Sequence, residues 1–195
     1  SNFNLGPLEN WVPGALVLNG QDEYCELSHA EMTRSYSWEL QNMPRWYYGK
    51  TTCDYDGARR VTVDMQTNNF LIEAVFRTEA GRTSGGIASK CDQRGYVLDL
   101  ARDGAPRMTL YFGNKSCSRT GSVRVNDGGW HHVIAEVDRA APRGIHIYVD
   151  GKPADGTWSG DMPPDRSLAN TGSFFVGKTG VGAAGDTERF FAGAL

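Results

Sequence analysis

No run of apolar residues in this chain approaches the roughly 20 that cross a bilayer as a helix, so a helical membrane span is excluded. There is no basic block either. The 20 lysines and arginines are interspersed with 23 acidic residues for a formal charge of -3, which leaves nothing to neutralise a phosphate backbone and excludes nucleic acid as an expected partner. The cysteines are few, four in all, and Cys25, Cys53, Cys91 and Cys117 lack the Cys-x-x-Cys spacing of zinc sites and thioredoxin-like motifs. Gly-x-Ser-x-Gly and the phosphate-cradling glycine patterns are missing despite 24 glycines. The first residues, Ser1 to Pro7, lack the basic and apolar regions of a secretory signal, so a mature or excised segment, or a cytosolic chain, is expected.

What is present is glycine, proline and Asp-Gly punctuation between short apolar runs at roughly ten-residue intervals, the pattern of an antiparallel sandwich or barrel. At 195 residues the chain fits one domain with a sizeable core, and only the region around 30–43 leaves room for a helix. Phe70 to Arg77 alternates Phe70, Ile72, Ala74 and Phe76 on one face with Leu71, Glu73, Val75 and Arg77 on the other, as a central strand does. Strands follow at Gly86 to Lys90, Tyr96 to Leu100 and Arg107 to Phe112, with Asp103-Gly104 turning between the last two. Trp130 to Asp138 and Gly144 to Val149 are two more, and Asp150-Gly151 is the hairpin signal that turns into a third. Gly156 to Asn170 is expected as a loop carrying Trp158, with Ser173 to Gly177 a further strand.

An even, dispersed set of cysteines favours two disulfides and an oxidising compartment. Of the three connectivities, Cys91–Cys117 with Cys25–Cys53 is favoured, because each closes a local segment and Cys91 and Cys117 sit at the outer ends of the hairpins spanning Tyr96 to Phe112. The alternative is four reduced cysteines in a cytosolic protein.

The succession Asp127-Gly128-Gly129, then Trp130-His131-His132-Val133, then about ten residues before Ile145-His146-Ile147-Tyr148-Val149-Asp150-Gly151-Lys152, resembles the laminin G-like, concanavalin A-like jelly-roll domains. The opening Asn19-Gly20-x-Asp22-x-Tyr24 is similar to the first strand of such domains. The resemblance implies an all-β fold, a two-sheet antiparallel sandwich, over roughly 15–28 and 69–195, in a single domain of residues 1–195. It also implies that the last strand, begun at Phe190, is truncated at Leu195 and that the sequence comes from a larger protein. Residues 30–60 depart from the family as an inserted loop rich in aromatic rings, either a packed lid or a binding platform.

Within that loop Trp46, Tyr47 and Tyr48, with Arg45, are candidates for carbohydrate binding, since sugar C–H faces stack on aromatic planes while charged groups bond the hydroxyls. Trp158 is a second candidate. His131 and His132 are adjacent on a strand, point to opposite faces and cannot chelate one ion together. Calcium is the cofactor that the resemblance implies, in a structural role near Asp22, with Asp54 and Asp56 of Asp-Tyr-Asp-Gly as a second option. The carboxylate run Glu-x-Asp-x-x-Glu of laminarinase-type relatives is absent, as are the strand motifs of alginate-lyase-like members in matching order. A lyase site would have to draw on Arg45, Tyr47, Tyr48 and Lys50 with His29. The expected function is therefore a non-catalytic, lectin-like carbohydrate-binding module of a secreted or cell-surface protein, with a polysaccharide or glycan as partner. The alternative is a structural or protein-interaction domain docking onto an adjoining domain of the same chain, and an enzyme comes third.

Overall fold

The computed structural model describes residues 3–4, 14–32, 63–79, 85–180 and 188–195. Strands β1 (Phe3–Asn4), β2 (Ala15–Asn19), β4 (Phe70–Arg77), β9 (Trp130–Val137), β10 (Ile145–Val149), β11 (Lys152–Pro153) and β14 (Ala192–Ala194) form the first sheet, in the order β1-β2-β14-β4-β9-β10-β11. Strands β3 (Cys25–Leu27), β5 (Gly86–Cys91), β6 (Arg94–Leu100), β7 (Pro106–Phe112), β8 (Ser116–Gly121), β12 (Asp155–Gly160) and β13 (Phe174–Val176) form the second, in the order β12-β8-β7-β6-β5-β13-β3. All pairings of these strands are antiparallel. A single helical turn, α1 (His29–Met32), follows β3, at the start of the region where the sequence leaves room for one.

The alternation expected for β4 is met. Phe70, Ile72, Ala74 and Phe76 all pack into the core, and β4 pairs with β9 along its whole length, from Phe70 opposite Val137 to Arg77 opposite Trp130. Ile145, Ile147 and Val149 extend that inner face through β10. Across the sandwich Tyr96, Leu98 and Leu100 of β6 and Met108, Leu110 and Phe112 of β7 supply the facing layer. Phe70 meets Tyr96 at 5.3 Å between ring centroids, so the two sheets touch through rings. Asp150 and Gly151 take φ of 52° and 75°, the left-handed pair that a type I′ hairpin turn between β10 and β11 requires.

Several expectations are corrected. On either side of the turn at Gly20 to Glu23 the chain changes sheet, with β2 in the first and β3 in the second. Asn19 shapes this crossover by accepting the backbone N–H of Gln21 at 2.8 Å and donating to Asp22 at 2.7 Å. Trp158 lies on β12 rather than in a loop, since Asp155–Gly160 pairs with β8. The Cys91–Cys117 bridge does not form. Strands β6 and β7 stand between β5 and β8, so the two cysteines are three strand spacings apart, about 14 Å. Its proposed companion, Cys25–Cys53, involves a residue outside the described set, as does the loop from 33 to 60; Cys25 itself is exposed on the edge strand β3.

Lys90 points into the sandwich beside Tyr96 and is fully buried. Its ammonium donates to Asn170 O at 2.9 Å, Asn170 Oδ1 at 3.0 Å and Gly172 O at 2.9 Å, so all of its hydrogens are used on the segment that leads into β13. Burial pushes its pKa below the ordinary lysine value, against the pull of Asp64 and Asp92. Lys90→Met strips three acceptors of their donor and is expected to cost about 2–4 kcal/mol in denaturant unfolding, with faster proteolysis near Asn170. Unchanged stability and unchanged cleavage would mean that the ammonium does not hold this segment.

Candidate functional site

The outer face of the second sheet is built by residues out of phase with the core. In β6 the side chains of Tyr96, Leu98 and Leu100 turn inward, which sends Asp99 to the other side, and in β7 Arg107 lies opposite Asp99 in register. Asp99 is 1 % exposed, yet it is not on the inner face. Residues 177–180 and 188–191 cross above it. Ser89 of β5 fixes that crossing by donating to Lys178 O and accepting from Gly180 N, each at 2.8 Å. Gly85 and Gly86 make it possible, because a Cβ on either would run into the backbone of Phe191, Lys178 or Thr179.

Three charges meet there. Arg107 binds Asp99 through two nitrogens, Nε to Oδ1 at 2.9 Å and Nη2 to Oδ2 at 2.6 Å, and Arg189 adds Nη2 to Oδ2 at 2.7 Å. Burial pushes the Asp99 carboxyl up from its ordinary range, and the bonds and charges of the two guanidiniums pull it back. The Arg107 and Arg189 side chains are 29% and 26% exposed. Beside them Phe175 of β13, Phe190 and Tyr24 form an aromatic cluster, with Tyr24 5.8 Å from Phe175 and 5.9 Å from Phe190. The Lys178 ammonium sits among these rings, 4.5 Å from the Tyr24 centroid, and pairs with Glu188 at 2.9 Å. The result is an outward band, with Arg107 of β7 and Arg189 on one side and Phe175 of β13, Phe190 and Tyr24 on the other.

On the first sheet the two adjacent histidines point apart, as the strand period requires. His131 is held between Asp150 at 2.9 Å and Asp127 at 3.0 Å, and His132 faces outward to Glu73 at 2.7 Å. Among the described residues no group of three or more His, Cys, Asp or Glu is placed to share a metal ion. Asp22 accepts from Asn19 within its own turn at 2.7 Å. Arg45, Trp46, Tyr47, Tyr48, Asp54 and Asp56 lie outside the described residues. Trp158 is half-buried against the core, with the Arg119 guanidinium 5.3 Å from its ring centroid and its indole N–H donated to Gly160 O.

The sequence had no local signal for this band. Asp99 and Arg107 are recognisable as out-of-phase polar residues on apolar strands, but Arg189 reaches Asp99 across 90 positions.

A laminin G-like family model, described as the concanavalin A-like lectin/glucanases superfamily, matches residues 54–195. Among solved structures, the chain is similar to domains LG4-5 of the mouse laminin alpha1 chain, with a TM-score of 0.57 and 16% identity over 92% of this chain, which spans 40% of that one. It is also similar to the CBM40 module of the Ruminococcus gnavus IT-sialidase, with a TM-score of 0.53 and 16% identity over 89% of this chain and 86% of that one. The same module bound to alpha2,3 sialyllactose gives a TM-score of 0.52 at 16% identity, with the same coverage of 89% and 86%. At these identities the likeness is one of fold. No curated protein matches the chain.

The His131 bridge is testable apart from any ligand. Burial works to lower the His131 pKa, and the bonds from Asp150 and Asp127 outweigh it, so the imidazole stands above its ordinary 6.5. Asp127 and Asp150 stand below their ordinary 3.8, first because the backbone N–H of Gly129 and of His132 respectively donates to them, then through His131. A raised histidine stabilises fully below 6.5 and loses that contribution as the pH rises through its folded value; the lowered aspartates stabilise above 3.8 and lose theirs as the pH falls. The difference in melting temperature between wild type and His131→Gln is therefore expected to be largest between about pH 4 and 6.5 and to shrink above that. A difference that stays flat to pH 9 would show that the bridge is not ionic.

Proposed function

The chain belongs to the concanavalin A-like lectin/glucanases superfamily, and from that premise we propose that it is a non-catalytic carbohydrate-recognition module of a larger secreted or surface protein. What supports this most is the outward band of Arg107, Arg189, Tyr24, Phe175 and Phe190 on the second sheet. Arg189 meets Asp99 through Nη2; guanidinium N–H groups turned to solvent bond hydroxyl and carboxylate oxygens, and Tyr and Phe planes take the apolar faces of sugar rings, so the two chemistries a glycan presents are both addressed. The likeness of fold to a sialidase module solved with a sialyllactose is in keeping with it. Arg45, Trp46, Tyr47 and Tyr48 belong to the same proposal as a second source of stacking and Trp158 as a third, its ring, like that of Tyr24, having a cation on one face.

For the non-catalytic part, Asp99 offers no acid or nucleophile of its own. A carboxylate tied to two arginines and closed off from water is neither a proton donor nor a nucleophile for a glycosidic bond. Among the described residues no helix is long and apolar enough to cross a membrane, which is compatible with the secreted or surface setting of the proposal.

The test is affinity electrophoresis against neutral, carboxylated and sulfated polysaccharides, with and without calcium, for the wild type, Arg189→Ala, Tyr24→Ala and Trp46→Ala. Retardation weakened about five- to tenfold in the first two variants, about 1 kcal/mol, is expected if the band is the site. Loss in Trp46→Ala alone moves the site to the aromatic loop. A folded wild type retarded by nothing favours docking onto an adjoining domain, and cleavage products from any polysaccharide would overturn the non-catalytic assignment.

A further inference from the structure

Away from the band, at the end of the sandwich where β6 begins, three arginines gather, with no carboxylate paired to them among the described residues. Arg94 opens β6 opposite Phe112, the last residue of β7, and the Gln93 carbonyl accepts from Gly113 N–H at 2.9 Å, which draws the two turns together. The segment after β12 folds over this end and brings Arg166, whose Nη1 lies 3.5 Å from Phe112 O, together with Ser167. Arg94, Phe112, Arg166 and Ser167 line a cavity of about 170 Å³.

Arg139 lies against two of those lining residues. Its guanidinium is stacked 4.9 Å from the Phe112 ring centroid, and its Nη2 donates to Arg166 O at 2.7 Å and Pro163 O at 2.9 Å. The residue is 3 % exposed, and its Nε and Nη1 are shut off from water without a hydrogen-bond partner. Among the described residues no carboxylate forms an ion pair with Arg94, Arg139 or Arg166. The nearby Asp92 is engaged by Thr171, at 3.2 Å to both its N–H and its hydroxyl, and Asp165 is exposed. A guanidinium buried without an anion is costly, and its field is weakly screened in a low-dielectric interior. That field adds to the charges of Arg94 and Arg166 at the cavity between them.

We propose that this cavity is a subsite for a compact oxyanion, a sulfate ester or a carboxylate carried by an acidic saccharide. Arg94 and Arg166 supply forked donors from the two walls, the Ser167 hydroxyl is the neutral donor beside them, and Arg139 contributes charge from beneath. The oxyanion stands on the cavity alone; that it is borne by a saccharide rests on the carbohydrate-recognition proposal.

The experiment titrates inorganic sulfate and, separately, acetate into the full chain, following the backbone amides of Arg94, Gly113 and Ser167 by NMR, and repeats it with Arg94→Gln/Arg166→Gln. Both side chains are on exposed residues, so the double variant is expected to keep its melting temperature, and the amide spectrum verifies its fold. The expected result is saturable shifts at these amides, weakened at least tenfold in the double variant and falling with added chloride. Tighter binding of sulfate than of acetate assigns the site to sulfate esters, and the reverse to carboxylates. Absent shifts, or equal affinity in both proteins, overturns the subsite. Sulfate bound in this arginine-dependent way by a domain that no polysaccharide retards would keep the oxyanion site and sink the carbohydrate proposal. Polysaccharide binding untouched by the double variant, with no sulfate shifts, would do the opposite.

Discussion

The carboxylate of Asp99 fixes more of this molecule than any other single group. It is buried on the side of β6 that faces away from the core, where a charge has no reason to be unless something covers and neutralises it. Arg107, on the neighbouring strand, meets part of that need with a bidentate bond whose geometry a lysine could not reproduce. Arg189 meets the rest, and in doing so anchors the stretch that precedes β14. The chain returning from β13 is held by Ser89 and lies on Gly85 and Gly86, so the close approach of backbone to backbone and the ion triad are one construction. Because Phe191 then turns inward onto Phe76 at 5.6 Å while Phe190 turns outward to Tyr24, the same anchored stretch closes the core and builds the aromatic half of the band. Stability and surface chemistry therefore depend on the same contacts, and a substitution at Asp99 cannot change one without the other.

How much of this the sequence revealed divides along the range of the interactions. Alternation is local, and the β4 pattern from Phe70 to Phe76, the Asp150-Gly151 turn and the divergence of His131 from His132 can all be derived from neighbours in the chain. The disulfide expectation failed for a reason of topology. In a meander of four strands the outermost cysteines are near in sequence order but separated by two intervening strands, so locality along the chain is not proximity in space. Strands β8 and β12 were missed because Ser116–Gly121 and Asp155–Gly160 carry few of the β-branched and apolar residues that announce a strand. They are held by pairing with each other and with β7 instead. The Asn19-Gly20-x-Asp22-x-Tyr24 motif was legible as family-like, yet its role, carrying the chain from one sheet to the other, belongs to the tertiary structure.

The chain as a whole is acidic, with a formal charge of -3, so neither basic feature is a by-product of composition. Both arise because folding separates arginines from carboxylates. At the band two arginines share one aspartate; at the cavity the described carboxylates are engaged by backbone and hydroxyl groups or left in solvent. The two features flank opposite ends of β6, whose seven residues from Arg94 to Leu100 place them about 20 Å apart. That separation bears on the kind of ligand each can serve. A small anion engages one of them and gains only the few charge-assisted bonds found there. A polymer carrying repeated acidic groups can reach both, and the second contact is then made at the high effective concentration set by the first. If both proposed sites bind, selectivity for a long acidic chain over a short one would follow from their spacing, without either having to bind tightly alone.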